Sequence, residues 1–424
     1  MGNSVPSAAL NDPFLAPAGS KTDVTGLCYT KNNTPAQTLP VATNCSATKT
    51  ATYTYGPFAK YAYYYVWNGS GSKTVAASYP TRVDIMSSIA TYSRTAATRP
   101  DCVTNAPVGG LVNCTFAEEI QNFANWYSYY RSRILMTKTA VGQAFLVVDP
   151  ITSPVIAPKL RVGFNTITGG GSSKYNPQVS DGANWLTIRD FDTTQKTAWY
   201  SKLYAINPSN STPLRTAMVK IGELYRGKLA GATDPVQYSC QPNNHIMATD
   251  GFWNDQSYPG LPTIDTNYAG INGGNLDGFA ANPDATRAAG TIDVKGASNT
   301  LADVTMLYYS KDLRDSSMAN CTGALGLDVC ANNVPKFSAT PADLAEYQHM
   351  RTFTIGLGAD GTKQYQSDYL TAASGFLANV KAGTDDWPAP VADASTTIDD
   401  LWHAAVNGHG IYLSAKSSSD LQSG

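Results

Sequence analysis

The apolar positions of the chain fall into a few clear rhythms. Thr115-Phe-Ala-Glu118 has the form of a capping box, and Phe116, Ile120, Phe123, Tyr127, Tyr130, Ile134, Val141 and Phe145 follow at three-and-four spacing. The pattern predicts one long helix with a wide buried face. KLRVGFNTI (159–167) reads as a strand and 193–204 as a helix. Pro213 suits the first helical position after Thr212, ahead of an apolar face of Leu214, Met218, Ile221 and Tyr225. HIMATD (245–250) predicts a short buried strand ending in Asp250-Gly251, and a long Asn/Gly/Asp loop runs on to about residue 298. Thr300-Leu-Ala-Asp303 caps a helix reaching Leu313. RTFTIGLG (351–358) is a second apolar strand, 398–407 a helix stopped by Gly408, and GIYLSA (410–415) a last strand.

Strands alternating with helices predict an α/β fold, with a mostly parallel sheet covered by helices on both faces. Residues 1–114 lack helical rhythm and read as a β- and loop-rich insertion. Within them Tyr61, Tyr63, Tyr65 and Trp67 alternate before an NGSGS turn, as an aromatic strand packing on a neighbouring sheet or loop would. The expected organisation is the insertion at 1–114, the α/β domain at 115–416 and a tail at 417–424. No internal repeat is evident.

Composition narrows the function. Of 424 residues 15% are charged and 42% hydrophobic, which excludes extensive disorder because a disordered chain is rich in charge and poor in aromatics. A net charge of -2 lacks the electrostatic footprint of a nucleic-acid or anionic-membrane binder. There is no uncharged apolar run of the length a transmembrane helix needs. Residues 1–20 do not have the form of a secretory signal, yet Cys28/Cys45, Cys102/Cys114 and Cys321/Cys330 fall as three local pairs in polar segments, with Cys240 left over. Such pairs suit disulfide-closed loops in an oxidising compartment. These features fit together in an internal piece of a longer exported protein.

In an open parallel sheet, ligands sit beyond the carboxyl ends of the strands. Asp250 is expected there, and Thr212 at a helix N-terminus would reach the same crevice. One carboxylate and one hydroxyl are half of a site for a hard divalent ion such as Mg²⁺. The alternative roles are structural, with Asp250 capping the turn into Gly251 and Thr212 capping its helix. Other chemistry is thinly represented. The four histidines have no HExxH spacing, and neither a GxSxG nucleophile elbow nor a GxxxxGK[ST] phosphate loop occurs. The loop at 265–277 has a calcium-like composition, but Leu276 stands where the closing carboxylate belongs.

Six blocks in order, NFANWYSYYRSR (122–133), STPLRTAM (211–218), IMATDGFWND (246–255), TLADVTMLYYSKDLR (300–314), HMRTFTIGLGADG (349–361) and IDDLWHAAVNGHGIY (398–412), together with NDPFLAPAGSKTDVTGLCY (11–29), carry a resemblance. The chain resembles the von Willebrand factor A-like (Rossmann-like) domain of PilY-type type IV pilus tip-associated proteins, insertion included. The resemblance implies a non-enzymatic pilus-biogenesis factor and adhesin, placed outside the cell at the pilus tip or outer-membrane surface. Its partners would be minor pilins or other tip components and a host or surface ligand. It also implies a metal ion-dependent adhesion site, where Mg²⁺ or another divalent cation accepts a carboxylate from the partner.

That site uses an Asp-x-Ser-x-Ser motif after the first strand, a Thr and an Asp. Thr212 and Asp250 match the second and third elements, and the first does not occur in the chain. Phe145–Ser153, FLVVDPITS, imitates it but reads as a strand and turn. Met1 stands where the family's motif ends in an internal methionine, so the expectation is a fragment starting just after the motif. It would lack the central first strand of a 3-2-1-4-5-6 sheet, and the propeller that commonly follows. The strands at 160–167 and 245–249 would then flank an empty slot, leaving the fold marginal and metal binding weak. A metal-independent tip cap or force-responsive scaffold is the alternative reading, and a secreted hydrolase the least favoured.

Overall fold

The computed structural model describes residues 62–66, 70, 76–146, 148, 160–167, 178–207, 212–250, 252–254, 297 and 299–415. Two antiparallel pairs come first: β1 (Tyr63–Val66) with β2 (Thr81–Asp84), and β3 (Thr91–Thr95) with β4 (Leu111–Thr115). The aromatic strand is thus four residues long. The Arg82 guanidinium covers the Tyr63 ring at 4.1 Å, while Tyr65 remains exposed. Tyr61 and Trp67 lie outside the described residues.

β4 runs directly into α1 (Phe116–Tyr129) through the expected capping box. The Thr115 Oγ accepts from the Glu118 N–H at 3.3 Å, and the Glu118 carboxylate accepts from the Thr115 N–H at 2.7 Å. Burial pushes the Glu118 carboxyl up, but the Thr115 and Thr104 N–H groups outweigh it and hold it at about 2. One turn position further on, Glu119 is buried between Arg94 (3.0 Å) and Arg99 (2.8 Å). Ile85, Tyr92, Val112, Ile120, Phe123 and Tyr127 close a small core over the Cys102–Cys114 disulfide.

The single long helix expected after Thr115 is two. α1 stops at Tyr129, and α2 (Arg133–Leu146) starts four residues later. Arg131 turns back, donating to the Tyr127 carbonyl at 2.7 Å and lying 4.0 Å over the Tyr127 ring, and the Ser132 hydroxyl accepts from the Leu135 N–H. The interruption is close to one helical turn, so the apolar rhythm passes through it unchanged. Phe145 and Leu146, expected to open a strand, belong to α2.

By packing, the chain divides into Met1–Leu135 and Met136–Gly424, so α1 goes with the hairpins whose arginines hold it. In the second unit, β5 (Arg161–Asn165) pairs antiparallel with β6 (Trp185–Asp190), and α3 (Thr193–Ala205) is capped by Asp192, which accepts from Gln195 N–H at 2.7 Å. Phe145 of α2 stacks on Trp199 of α3 at 4.1 Å, against Phe191 and Leu186. The strand at 161–165 is therefore a member of an antiparallel pair, not of the parallel sheet.

That sheet is made by the rest of the chain: α4 (Leu214–Tyr225), β7 (Asn243–Thr249), α5 (Leu301–Ser310), β8 (Met350–Leu357), α6 (Phe376–Lys381), α7 (Thr396–Asn407) and β9 (His409–Ala415). β7, β8 and β9 are parallel in that order, with Asn243 opposite Met350 and Thr354 opposite Tyr412. Thus the protein is α/β, and its parallel sheet has three strands among the described residues. Met247, Met350 and Tyr412 face α4, α5 and α7 and share their core. Thr354 Oγ of this face donates to the Leu401 carbonyl of α7 at 2.8 Å. On the other face Ile246 is 57% exposed and Ile411 43% exposed, so among the described residues helix cover is confined to one side. Consecutive right-handed crossovers moving in one direction along a sheet place their helices on the same face.

Gly408 ends α7 without a left-handed conformation; His409 takes the positive φ, 52°. Glycine at 408 and 410 answers to crowding. A Cβ at Gly408 would lie 2.6 Å from Thr352 Cβ, and one at Gly410 would lie 2.0 Å from the Thr352 carbonyl oxygen. Cys321–Cys330 is bonded as expected, Cys240 is free and exposed, and Cys28 and Cys45 lie outside the described residues.

At the amino end of the sheet His349 is buried with Nδ1 at 2.7 Å from the Tyr347 carbonyl and Nε2 at 3.0 Å from Asp343, which also accepts from Tyr309 OH at 3.2 Å. Burial pushes the Asp343 carboxyl up, but the bond and charge of His349, with Arg351 and Tyr309, outweigh it and hold the group below its ordinary value. A carboxyl depressed in the folded state stabilises above its unfolded pKa, about 3.9, and that contribution disappears as pH falls through the folded value. Asp343→Asn should therefore lower the melting temperature at pH 6, and the gap to wild type should shrink as melting is followed below about pH 4. A gap independent of pH would contradict this.

Candidate metal centre

The carboxyl ends of β7 and β8 and the N-termini of α4, α5 and α7 meet at one end of the sheet. Thr212 does not cap α4; Pro213 occupies the cap position, contributes no side-chain bond, and the helix starts one residue later than its proline suggested. Thr212 is instead joined to the chain leaving β7. Its N–H donates to Asn254 Oδ1 at 2.6 Å, and the Asn254 N–H donates to the Thr212 carbonyl at 3.2 Å. Asp250 is the first residue beyond β7 and is exposed. Its carboxylate makes no hydrogen bond or ion pair to another described residue, and neither does the Thr212 hydroxyl. Thr212 is thus not the cap of its helix, whereas the turn from Asp250 into Gly251 lies outside the described residues; the two residues belong to segments that touch.

Trp253, 4% exposed, anchors the same stretch from below. Its indole N–H donates to Asp400 Oδ2 at 2.9 Å, its carbonyl accepts from the Asp393 N–H at 3.0 Å, and the Arg215 guanidinium lies 4.3 Å over its ring. Asp400 also accepts from the Leu301 and Ala302 N–H groups at 2.9 and 3.1 Å, at the start of α5. Its neighbour Asp399 accepts from Thr362 N–H (2.8 Å), Thr362 Oγ (2.7 Å) and Lys363 N–H (3.0 Å), beyond β8. Burial raises the pKa of both carboxyls, against the pull of these donors. Two consecutive aspartates near the start of one helix thus tie down two strand-end loops. One sign of them is visible in the sequence, an Asp-Asp pair opening an amphipathic helix; their partners at 253, 301 and 362 are too distant in the chain for any local pattern to show.

The donor set at Thr212 and Asp250, one hydroxyl and one carboxylate, is hard oxygen and fits Mg²⁺ or a similar ion, with too few protein groups to fill a coordination shell. Asp393-Ala-Ser395-Thr-Thr397 comes nearest to the missing Asp-x-Ser-x-Ser motif. It leads into α7, though, where the Thr397 side chain is fully buried and donates to the Ala394 carbonyl at 2.7 Å. Among the described residues, the one cluster of three His, Cys, Asp or Glu side chains is Cys321, Asp328 and Cys330, and its sulfurs are already bonded to each other.

Fold and site define an α/β unit that gathers its strand-end loops at one end of a parallel sheet, the arrangement of a ligand-binding module. Known relatives give that class a particular setting. The chain is 31% identical over 334 residues, 76% of its length, to the type IV pilus biogenesis factor PilY1 of Pseudomonas aeruginosa strain PAK, and 33% identical over 314 residues to that of strain PAO1. The PilY1 of strain UCBPP-PA14 is 31% identical over 309 residues. The chain is thus a relative of PilY1-type factors, as its ordered blocks implied. It spans about a quarter of the length of these relatives, which it covers to 26%, 25% and 24%. No family model matches the chain, and no solved structure does.

Proposed function

We propose that this chain is the von Willebrand factor A-like region of a type IV pilus biogenesis factor and adhesin, acting outside the cell at the pilus tip or outer-membrane surface. It is not an enzyme. Its partners are minor pilins or other tip components and a host or surface ligand. Among the described residues no helix is long and apolar enough to cross a membrane. The observation that carries the reading is the meeting of the Thr212 segment with the chain leaving Asp250 at the carboxyl end of the sheet, where neither side chain bonds another described residue. When bound, a Mg²⁺ ion would supply a Lewis-acidic position for a partner's carboxylate. Thr212 and Asp250 would hold it through a hydroxyl and a carboxylate oxygen, and Asn254 keeps the two segments together.

The double variant Thr212→Ala, Asp250→Ala, placed in the complete gene, should keep the protein folded and exported. Divalent-metal binding and metal-dependent adhesion should be lost. Unchanged adhesion and piliation would instead support the second reading, a metal-independent tip cap or scaffold, which the disulfide-closed loops favour.

A further inference from the structure

Metal sites depend on groups that touch no metal but hold the ligands in place. Trp253 stands between the two segments of the candidate centre. It follows Asp250 by three residues, its ring is clamped by Arg215 of the first turn of α4, just beyond Thr212, and its indole N–H is taken by Asp400 of α7. Asn254, the next residue, is hydrogen bonded to Thr212 in both directions. Trp253 and Asn254 are therefore located relative to Thr212 by the Asn254 bonds and by the Trp253 ring, and that ring is held by Arg215 and Asp400.

We propose that Asp400 is a positioning residue for the metal centre: by holding the Trp253 indole, it fixes Trp253 and Asn254 against the N-terminus of α4, so that Asp250 and Thr212 address the same ion. The inference rests on the metal reading above. The Asp400 carboxylate is deeply buried, which disfavours its charged form, and it has three donors in compensation. Two of them, the Leu301 and Ala302 N–H groups, belong to the open end of α5 and would call for an acceptor in any case. The third, the indole, is the one that leads to the metal centre. Asp399 provides an internal comparison, because it sits on the same helix, is likewise buried and accepts three hydrogen bonds, but holds the loop after β8.

The test is calorimetric titration of the full chain with Mn²⁺ and with Mg²⁺, beside thermal melting of each variant. Asp400→Leu, which has no acceptor for the indole, should weaken Mn²⁺ binding by about tenfold or more, in the range found for groups that hold a metal's ligands, while Asp399→Leu leaves it within about twofold of wild type even where it lowers the melting temperature. Trp253→Phe keeps the packing, loses the donor, and should weaken binding too. The double variant Asp400→Leu, Trp253→Phe should bind no more weakly than Asp400→Leu alone, because both remove one bond. If Asp400→Leu does not fold, Trp253→Phe against Asp399→Leu decides the matter. Wild-type affinity in Asp400→Leu or Trp253→Phe, equal losses in Asp399→Leu, or independent, additive losses in the double variant would overturn the proposal while Thr212→Ala still weakens binding. Absence of Mn²⁺ binding by the wild-type chain would overturn the metal reading, and this inference with it.

Discussion

Trp402→Ala is expected to remove about 3–5 kcal/mol of stability, the range for deleting a large buried aromatic side chain. Trp402, 2% exposed, is the hub of an aromatic cluster. Its ring meets Tyr369 at 5.1 Å, Phe376 at 5.4 Å, Trp387 at 5.5 Å and Tyr365 at 5.7 Å, and it stacks on Tyr412 at 5.9 Å. Tyr412 belongs to β9, and Phe376 to α6. The one side chain therefore joins α7 to the sheet and to the segment between β8 and α7. With net stabilities of about 5–15 kcal/mol, a loss of this size leaves the unit near its unfolding threshold. Trp126→Ala, at a position 49% exposed in α1, should change stability far less. Denaturant unfolding of both variants checks the pair, and a similar small shift for each would mean the core is not organised around Trp402.

A strand supplied along the edge of β7 opposite β8 should raise the melting temperature. β7 pairs with β8 on one side, and among the described residues no strand pairs with it on the other. β5 does not fill the position, since it is bonded to β6. The two are nonetheless linked through Tyr225, whose hydroxyl donates to the Asn244 carbonyl of β7 at 3.0 Å and whose ring end lies in the field of Arg161 of β5. Backbone groups buried without a partner cost about 1–3 kcal/mol each. If a new strand satisfies groups worth about 3 kcal/mol in all, a unit of this size should gain roughly 6–12 °C. The comparison is between this chain and one extended upstream by a strand ending in Asp-x-Ser-x-Ser, which should also bind Mg²⁺ more tightly. An unchanged melting temperature, or protection from hydrogen exchange in the shorter chain of those β7 amides that point away from β8, would show that another segment holds that edge.

What the sequence disclosed and what it hid follow from the range of the interactions. Both capping boxes, at Thr115 and Thr300, were legible because a side chain bonds its own backbone three residues on. The parallel strands β7, β8 and β9 were legible as short apolar runs bounded by glycine or aspartate. The break between α1 and α2 was hidden because Arg131 and Ser132 act by a backbone turn that leaves the apolar period intact. β6 is harder to read because its alternation, Leu186 to Arg189, is only four residues long, and the strand draws its character from pairing with β5. At the candidate centre, Thr212 and Asp250 stood out by residue type and position, whereas Trp253 and Asp400 gain their meaning from a bond across 147 residues of sequence.

The two disulfides of the described residues also decide how the chain would carry a mechanical load. Cys102 and Cys114 are 12 residues apart in sequence, Cys321 and Cys330 are 9 apart, and each pair holds its Cα atoms within 5.0 Å. At about 3.4 Å per extended residue, the loops would store roughly 40 and 30 Å of contour length that tension cannot draw out while the sulfurs stay joined. The first bond lands one residue before the Thr115 cap, so a pull arriving at Cys102 passes straight to the N-terminus of α1 and bypasses the intervening loop. Reduction would release that slack and turn a short covalent link into a compliant tether.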